Sequence, residues 1–230
     1  HYVGAGTIEF LVDKHMNFFF LEMNTRLQVE HPVSEMITGL DLVALQILVA
    51  EGKELPIKQE DVQKSGHAIE CRIYAEDPAN NFLPSTGTLT KHRIPTGAEV
   101  RVDAGVEEGS QITINYDPMI SKLSVHAPSR DQAIAKMLRA LHEYEIAGCH
   151  TTIPFCEYVL KHEAFRSAQY DTHFVQDHFT VEKMDAMHEV SGEIKSLAAA
   201  LLKSKEEAPR ERVASAANGA EQSVWWLNRR

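Results

Sequence analysis

The stretch from Gly6 to Glu35, GTIEFLVDKHMNFFFLEMNTRLQVEHPVSE, carries acids and amides at a spacing that strongly limits how the chain can fold. It reads as two strands, over 6–12 and 17–23, joined by a turn from Asp13 to Asn17 and followed by a polar extended arm. Glu22, Asn24, Arg26, Gln28 and Glu30 recur at every second position. A chain that alternates sides puts all five on one face. A turn around His15 and Met16 sets Glu9 opposite Glu22. Two facing carboxylates repel, and a divalent cation held by oxygen ligands between them removes the repulsion. Phe18, Phe19, Phe20 and Leu21, immediately before Glu22, predict burial of this stretch, and buried acids need partners. The alternative is a solvated hairpin face of mixed charge.

Read as a site, Glu9 and Glu22 with Asn24 beside them suit Mg²⁺, which prefers a couple of carboxylates plus water and substrate phosphates. Further along the arm, the Arg26 guanidinium fork fits a small planar oxyanion through parallel hydrogen bonds. Gln28 and the backbone N–H of Val29 can hold the remaining oxygen. Glu30 follows directly, where a carboxylate can take a proton from the bound anion. The spacing suggests a metal-bound nucleotide meeting a small planar anion whose identity composition leaves open.

The 230 residues allow one large domain or two small ones. A formal charge of -10 argues against nucleic acid as a partner, which needs clustered Lys and Arg. No run approaches the roughly 18 apolar residues of a membrane span, and no secretory segment is evident, so no membrane partner is expected. Cys71, Cys149 and Cys156 are odd in number and widely spaced, giving neither a disulfide framework nor a zinc signature. A reducing cytoplasm is the expected location. The chain enters a strand almost directly from His1, which predicts the C-terminal part of a longer protein whose strand edges expect neighbours.

Downstream, Ser34 and Glu35 open a short helical turn that Gly39 breaks, and Asp41 caps a second helix to about Glu51. Gly66 to Glu76 reads as a half-buried strand in which Ile69, Cys71 and Ile73 alternate with Glu70, Arg72 and Tyr74. On pattern alone Arg72 is equally a surface arginine. Dense Pro and Gly between 77 and 126 punctuate short strands near 87–94, 99–103, 111–115 and 119–126, predicting a small antiparallel sheet or partial barrel. Ser129 and Gln132 form a capping-box start for a helix buried along Ala133, Ile134, Met137, Leu138 and Leu141. A strand over 144–146 and helices near 152–161 and 171–178 follow, with Phe155, Tyr158, Val159, Leu160, Phe174 and Val175 as packing residues. A third helix is expected over about 182–204. A polar linker over 205–222 then leads to a tail with Trp225 and Trp226, which either docks on a partner or packs back on its own domain.

The motifs GAGTIEFL, FLEMNTRLQVEHPVSEMITG, GHAIECRIYAEDP, FLPSTG and YDPMISKL, in this order, resemble biotin carboxylase, an ATP-grasp ligase, over roughly residues 1–180. The resemblance implies an α+β fold. The C-terminal part of an ATP-grasp domain would occupy 1–64. The biotin carboxylase C-terminal domain, a small antiparallel sheet or partial barrel with packed helices, would occupy 65–180. A helical extension, linker and Trp-containing tail would fill 181–230. It also implies the first half-reaction of an acyl-CoA carboxylase. ATP phosphorylates bicarbonate to carboxyphosphate, which releases CO₂ for carboxylation of N1 of carrier-bound biotin.

By the same resemblance, Glu9 and Glu22 are ligands of Mg²⁺ or Mn²⁺ and contact ATP, with Asn24 as an accessory ligand. Arg26, Gln28 and Val29 hold bicarbonate, Glu30 is the general base, and Arg72 contacts bicarbonate and stabilises the biotin enolate. Leu11 and Leu21 line the adenine pocket. Strict alternation puts Leu21 on the face opposite Glu22, so that role needs a bulge or twist. Cys149 stands where the family tends to carry an apolar adenine contact. No A-M-K-M biotin-acceptor signature occurs, so biotin is expected on a separate carrier protein. The family's N-terminal domain and glycine-rich lid have no counterpart in these residues, so this stretch alone is expected not to turn over. The extension beyond 181 resembles that of larger subunits that assemble with a carboxyltransferase, and a homodimer is a further expectation. Two rivals remain. One is a carbamoyl-phosphate synthetase-like ligase, a family that lacks the R-x-Q-V-E-H run and the E-C-R strand. The other is a non-catalytic interaction module.

Overall fold

The computed structural model describes residues 1–187, within the first of two compact units, His1–His188 and Glu189–Arg230. The remainder of the expected third helix, the linker and Trp225 and Trp226 lie outside the described residues.

Strand β1 (Thr7–Val12) pairs antiparallel with β2 (Phe18–Asn24). The turn between them is built by Asp13, whose carboxylate accepts from the backbone N–H groups of His15 at 2.8 Å and Asn17 at 3.0 Å. Met16 adopts a left-handed φ of 64°. Glu9 faces Glu22, as the turn position requires. The register then slips: Phe10 pairs with Phe20, which leaves Leu21 unpaired as the extra residue of a β-bulge. This is the irregularity that Leu21 needs in order to change face. The expected burial of the apolar run does not occur. Phe18, Phe19, Phe20 and Leu21 are 69, 59, 65 and 51% exposed, because the hairpin is a sheet of only two strands.

Beyond Asn24 the chain bends at Arg26 and turns at Val29 and Glu30, so the expected extended arm with five residues on one face is not formed. Helix α1 (His31–Thr38) starts at His31 rather than Ser34. Pro32 suits a first helical turn, since its missing N–H has no intrahelical acceptor there. Gly39, with φ 72°, ends α1, and the Asp41 carboxylate caps α2 (Leu42–Ala50) by accepting from Ala44 N at 2.8 Å. The two helices meet at 101°, and no single helix among the described residues is long and apolar enough to cross a membrane.

The chain continues through β3 (His67–Tyr74), β4 (Glu76–Asp77), β5 (Leu83–Pro84), β6 (Gly87–Thr88), β7 (Lys91–Arg93), β8 (Val100–Ala104), β9 (Gln111–Ile112) and β10 (Met119–Ala127). Helix α3 (Arg130–Glu143) and β11 (Glu145–Ala147) follow. Strands β3, β10 and β8 form one antiparallel sheet with β10 central, while β4–β5, β6–β9 and β7–β11 pair as short ladders. The strands expected over 87–94 and 111–115 are therefore shorter and interrupted by turns. Alternation decides the two faces of the main sheet. Ile69, Cys71, Ile73, Leu123 and Val125 pack against Ala133, Ile134, Met137, Ala140 and Leu141 of α3. Ser129 caps that helix by accepting from Gln132 N, and Ala140 is fully buried where Leu138 is only partly so.

The opposite face of the sheet is polar. Cross-strand register aligns Arg72, Lys122 and Asp103 in one row and Glu70, Ser124 and Arg101 in the next. Helix α1 lies against β3 and β10. The buried Glu35 of α1 accepts from Arg101 Nη1 at 2.6 Å and from Leu42 N at 2.7 Å, which fixes both helices to the sheet.

Helices α4 (Ile153–Lys161), α5 (Glu163–Arg166), α6 (Phe174–His178) and α7 (Val181–Met187) close the described unit. The helix expected over 171–178 starts only at Phe174, because the Asp171 carboxylate accepts from His173 N at 2.8 Å and holds a turn. Phe174 packs with Tyr158 and Met184, whereas Val175, expected to pack, is 45% exposed.

Candidate active site

The hairpin register brings three polar side chains together. Asn24 Nδ2 donates to Glu9 Oε1 at 2.9 Å and to Glu22 Oε1 at 3.1 Å, while Asn24 Oδ1 accepts from Arg26 Nη2 at 3.4 Å. One amide thus stands between the facing carboxylates and offsets their repulsion. The donor set is two carboxylates and an amide, all oxygen-bearing and convergent. This fits a hard cation of the Mg²⁺ type, with the amide turning its oxygen inward. No group of three or more His, Cys, Asp or Glu side chains suited to a metal occurs among the described residues.

Beside this set, Arg26, Gln28, Glu30 and Ser34 line a cleft of about 260 Å³ together with the backbone around Gly6. The cleft forms because α1 begins directly after Glu30: Gln28 O accepts His31 N at 3.3 Å, which closes the turn. Among the described residues the Arg26 guanidinium hydrogen-bonds Leu27 O at 3.3 Å and Asn24 Oδ1 at 3.4 Å, which leaves donors of its fork for an anion.

Glu30 Oε2 accepts from Arg72 Nη2 at 2.7 Å, with the two side chains 49 and 41% exposed. Arg72, which pattern alone left evenly between a surface and a site residue, thus reaches the turn at Glu30 that precedes α1. Burial lowers the Arg72 pKa, but the Tyr74 hydroxyl and the Glu30 and Glu70 carboxylates outweigh it and hold the guanidinium above its ordinary value. Burial pushes the neighbouring Glu70 carboxyl up, against the Ser124 hydrogen bond and the Lys122 and Arg72 charges.

Residues 70–177 match the family model described as the biotin carboxylase C-terminal domain, and residues 1–58 match the carbamoyl-phosphate synthase L chain, ATP binding domain. The rival ATP-grasp family therefore shares its ATP-binding model with the first segment, whereas the segment holding the E-C-R strand matches the biotin carboxylase model. Biotin carboxylase 1 of Bacillus subtilis is 51% identical over 176 residues, 76% of this chain and 39% of the relative. The chain belongs to the biotin carboxylase family. The mitochondrial methylcrotonoyl-CoA carboxylase subunit alpha of Rattus norvegicus is 47% identical over 77% of this chain and 25% of its own length. The biotin carboxylase domain dimer of Hydrogenobacter thermophilus 2-oxoglutarate carboxylase, solved with MgADP, ADP and bicarbonate, superposes with a TM-score of 0.74 at 46% identity. That match covers 76% of this chain and 39% of the solved one. This member of the family thus spans only about a quarter to two fifths of the length of such curated relatives.

Within this member of the family, Glu9, Glu22 and Asn24 form one group, and Arg26, Gln28 and Glu30 line the adjoining cleft. The Val29 carbonyl is held by Lys122, and Arg72 reaches Glu30 from β3. Leu11 and Leu21 stand exposed on the hairpin. Cys149 is partly buried against Ala75, Leu89, Ile112 and Ile120, where burial pushes its thiol up. Two residues escaped the sequence reading. The buried Thr152 donates from Oγ1 to Arg72 O at 3.1 Å and accepts from Tyr74 N at 3.0 Å, so it fixes the backbone that carries Arg72. Lys122 follows Arg72 across the strand pair; its place in alternation on β10 was the available signal.

Proposed function

We propose that these residues form the floor of a site that carboxylates carrier-bound biotin with ATP and bicarbonate, the first half-reaction of an acyl-CoA carboxylase. The observation that carries this reading is the Glu30–Arg72 contact at 2.7 Å, formed between groups 42 residues apart beside the cleft that Arg26 and Gln28 line. Arg26 and Gln28 orient bicarbonate in the cleft through donors directed at its oxygens. Glu30 takes the bicarbonate proton while a bicarbonate oxygen attacks the γ-phosphorus of ATP, so the P–O bond to ADP breaks as the new one forms. Carboxyphosphate then separates into CO₂ and phosphate, the released phosphate takes the proton from biotin N1, and N1 forms its bond to the carbon of CO₂ as one C=O π pair moves to oxygen. Arg72 stabilises the anionic ureido oxygen that develops in this step.

Glu9, Glu22 and Asn24 would hold Mg²⁺, with Mn²⁺ as a substitute, which neutralises nucleotide phosphate charge. Leu11 and Leu21 belong to the adenine side of the same proposal, supported for Leu21 by the bulge. A separate biotin carrier, a carboxyltransferase subunit and a second copy of the chain are the proposed partners. The dimer solved for the 2-oxoglutarate carboxylase domain supports the last of these.

The test is phosphate release from ATP by the full-length protein, with bicarbonate and free biotin supplied or withheld. Release that depends on both is expected, and release indifferent to both overturns the reading. Arg72→Ala is expected to lower biotin carboxylation roughly 10²-fold, as loss of one transition-state donor does. The KM for ATP should stay within about twofold, since Arg72 contacts the anion side of the site. Equal losses in both would mark Arg72 as structural.

A further inference from the structure

We propose that Lys122 is a positioning residue for bicarbonate, acting through the Val29–Glu30 turn. Its side chain is only 12% exposed, and Nζ crosses from the centre of the sheet to donate to Val29 O at 2.8 Å. That carbonyl belongs to the peptide joining Val29 to Glu30, so the bond fixes the plane from which the Glu30 side chain departs. Lys122 and Arg72 are direct cross-strand partners. The first grips the backbone of the turn and the second grips the Glu30 carboxylate, so adjacent strands hold adjacent groups of one turn.

The surrounding charges suit this task. Lys122 pairs with Asp103 Oδ2 at 3.4 Å, and Asp103 is in turn held by Arg101 Nε at 2.9 Å. Burial raises the Asp103 pKa, but Arg101 and Lys122 outweigh it and keep the carboxyl below its ordinary value. The ammonium charge is therefore balanced from β8, and among the described residues the ion-pair partner of Glu30 is Arg72. Docking of α1 on the sheet has its own anchor in the Glu35–Arg101 pair. Loss of Lys122 should thus loosen the turn without releasing the helix.

The inference rests on the reading of this cleft as the bicarbonate site. It is tested in the full-length protein with Lys122→Met and Lys122→Arg, varying bicarbonate and ATP separately. Lys122→Met is expected to raise the bicarbonate KM roughly tenfold or more, because small misplacements of a binding group carry large kinetic penalties. The ATP KM should stay within about twofold, and Lys122→Arg, which keeps a charged donor, should recover most of the loss. Should Lys122→Met lose its native circular dichroism, Lys122→Gln is read by the same split. Parallel changes in both KM values, or none in a folded variant, overturn the role of Lys122 alone. Absence of bicarbonate-dependent ATP cleavage in the wild type would instead overturn the site reading beneath it.

Discussion

Glu30→Gln in the full-length protein is expected to lower bicarbonate-dependent phosphate release by roughly 10²–10⁴-fold, the usual contribution of a positioned general base. The amide keeps the shape of the carboxylate and leaves an oxygen for Arg72 Nη2, which now lies 2.7 Å from Glu30 Oε2. What it removes is the capacity to accept a proton from the anion in the cleft. The Glu30–Arg72 pair is more than a third exposed on both sides, so its loss costs at most about 1 kcal/mol of stability. For a unit of this size that corresponds to a fall in Tm of about 4 °C or less. Calorimetry and stopped phosphate assays on the same preparation separate the two effects. A folded variant that retains rates within about threefold of wild type would remove Glu30 from the role of base.

Parts of this arrangement were legible in the residues and parts were not, for identifiable reasons. The pairing of Glu9 with Glu22 follows from the turn, because Asp13 and Asn17 are turn-forming types, whereas the left-handed φ of 64° at Met16 is not one its residue type signals. The bulge at Leu21 carries no signal inside the uniform run FFFLE, and only the resemblance required it. Hydropathy marked Phe18 to Leu21 for burial, yet they stand exposed, because a hairpin of two strands offers them no second layer. The polar face of the main sheet shows the opposite gap. Glu70, Arg72, Arg101, Asp103, Lys122 and Ser124 alternate as solvent-facing residues would. That α1 lies over them, with Glu35 completing the charge network, depends on a long-range packing choice that no local pattern records. The same holds for Arg72: alternation placed it on the polar face, and only its contact with Glu30 distinguishes it from a solvated arginine.

Gly148→Ala is expected to destabilise the described unit by roughly 3–5 kcal/mol, which lowers Tm by about 6–20 °C. Gly148 has φ 108°, a conformation that side chains of L-residues rarely adopt. A methyl there would overlap the Thr88 carbonyl oxygen, with the Thr88 carbonyl carbon at 2.9 Å and Thr90 N at 3.0 Å. All three are backbone atoms, so no side-chain rotation relieves the contact. The neighbouring backbone is already committed, since Thr90 N donates to Ala147 O at 2.9 Å and β7 pairs with β11 on that side. Strain would pass along the chain to Thr152, whose backbone N–H donates to Tyr74 O at 3.1 Å and whose hydroxyl donates to Arg72 O. The expected signature is therefore a joint loss of thermal stability and of the biotin-carboxylation step, the step assigned to Arg72. Gly39→Ala is the matched control. Gly39 has a left-handed φ of 72° but no heavy atom within 4 Å of the added methyl. Its cost should be limited to the backbone term of about 1–3 kcal/mol. Thermal melts of the two variants side by side decide the matter: equal shifts would show that close backbone packing at Gly148, and with it the link to Arg72, contributes nothing beyond the conformational penalty.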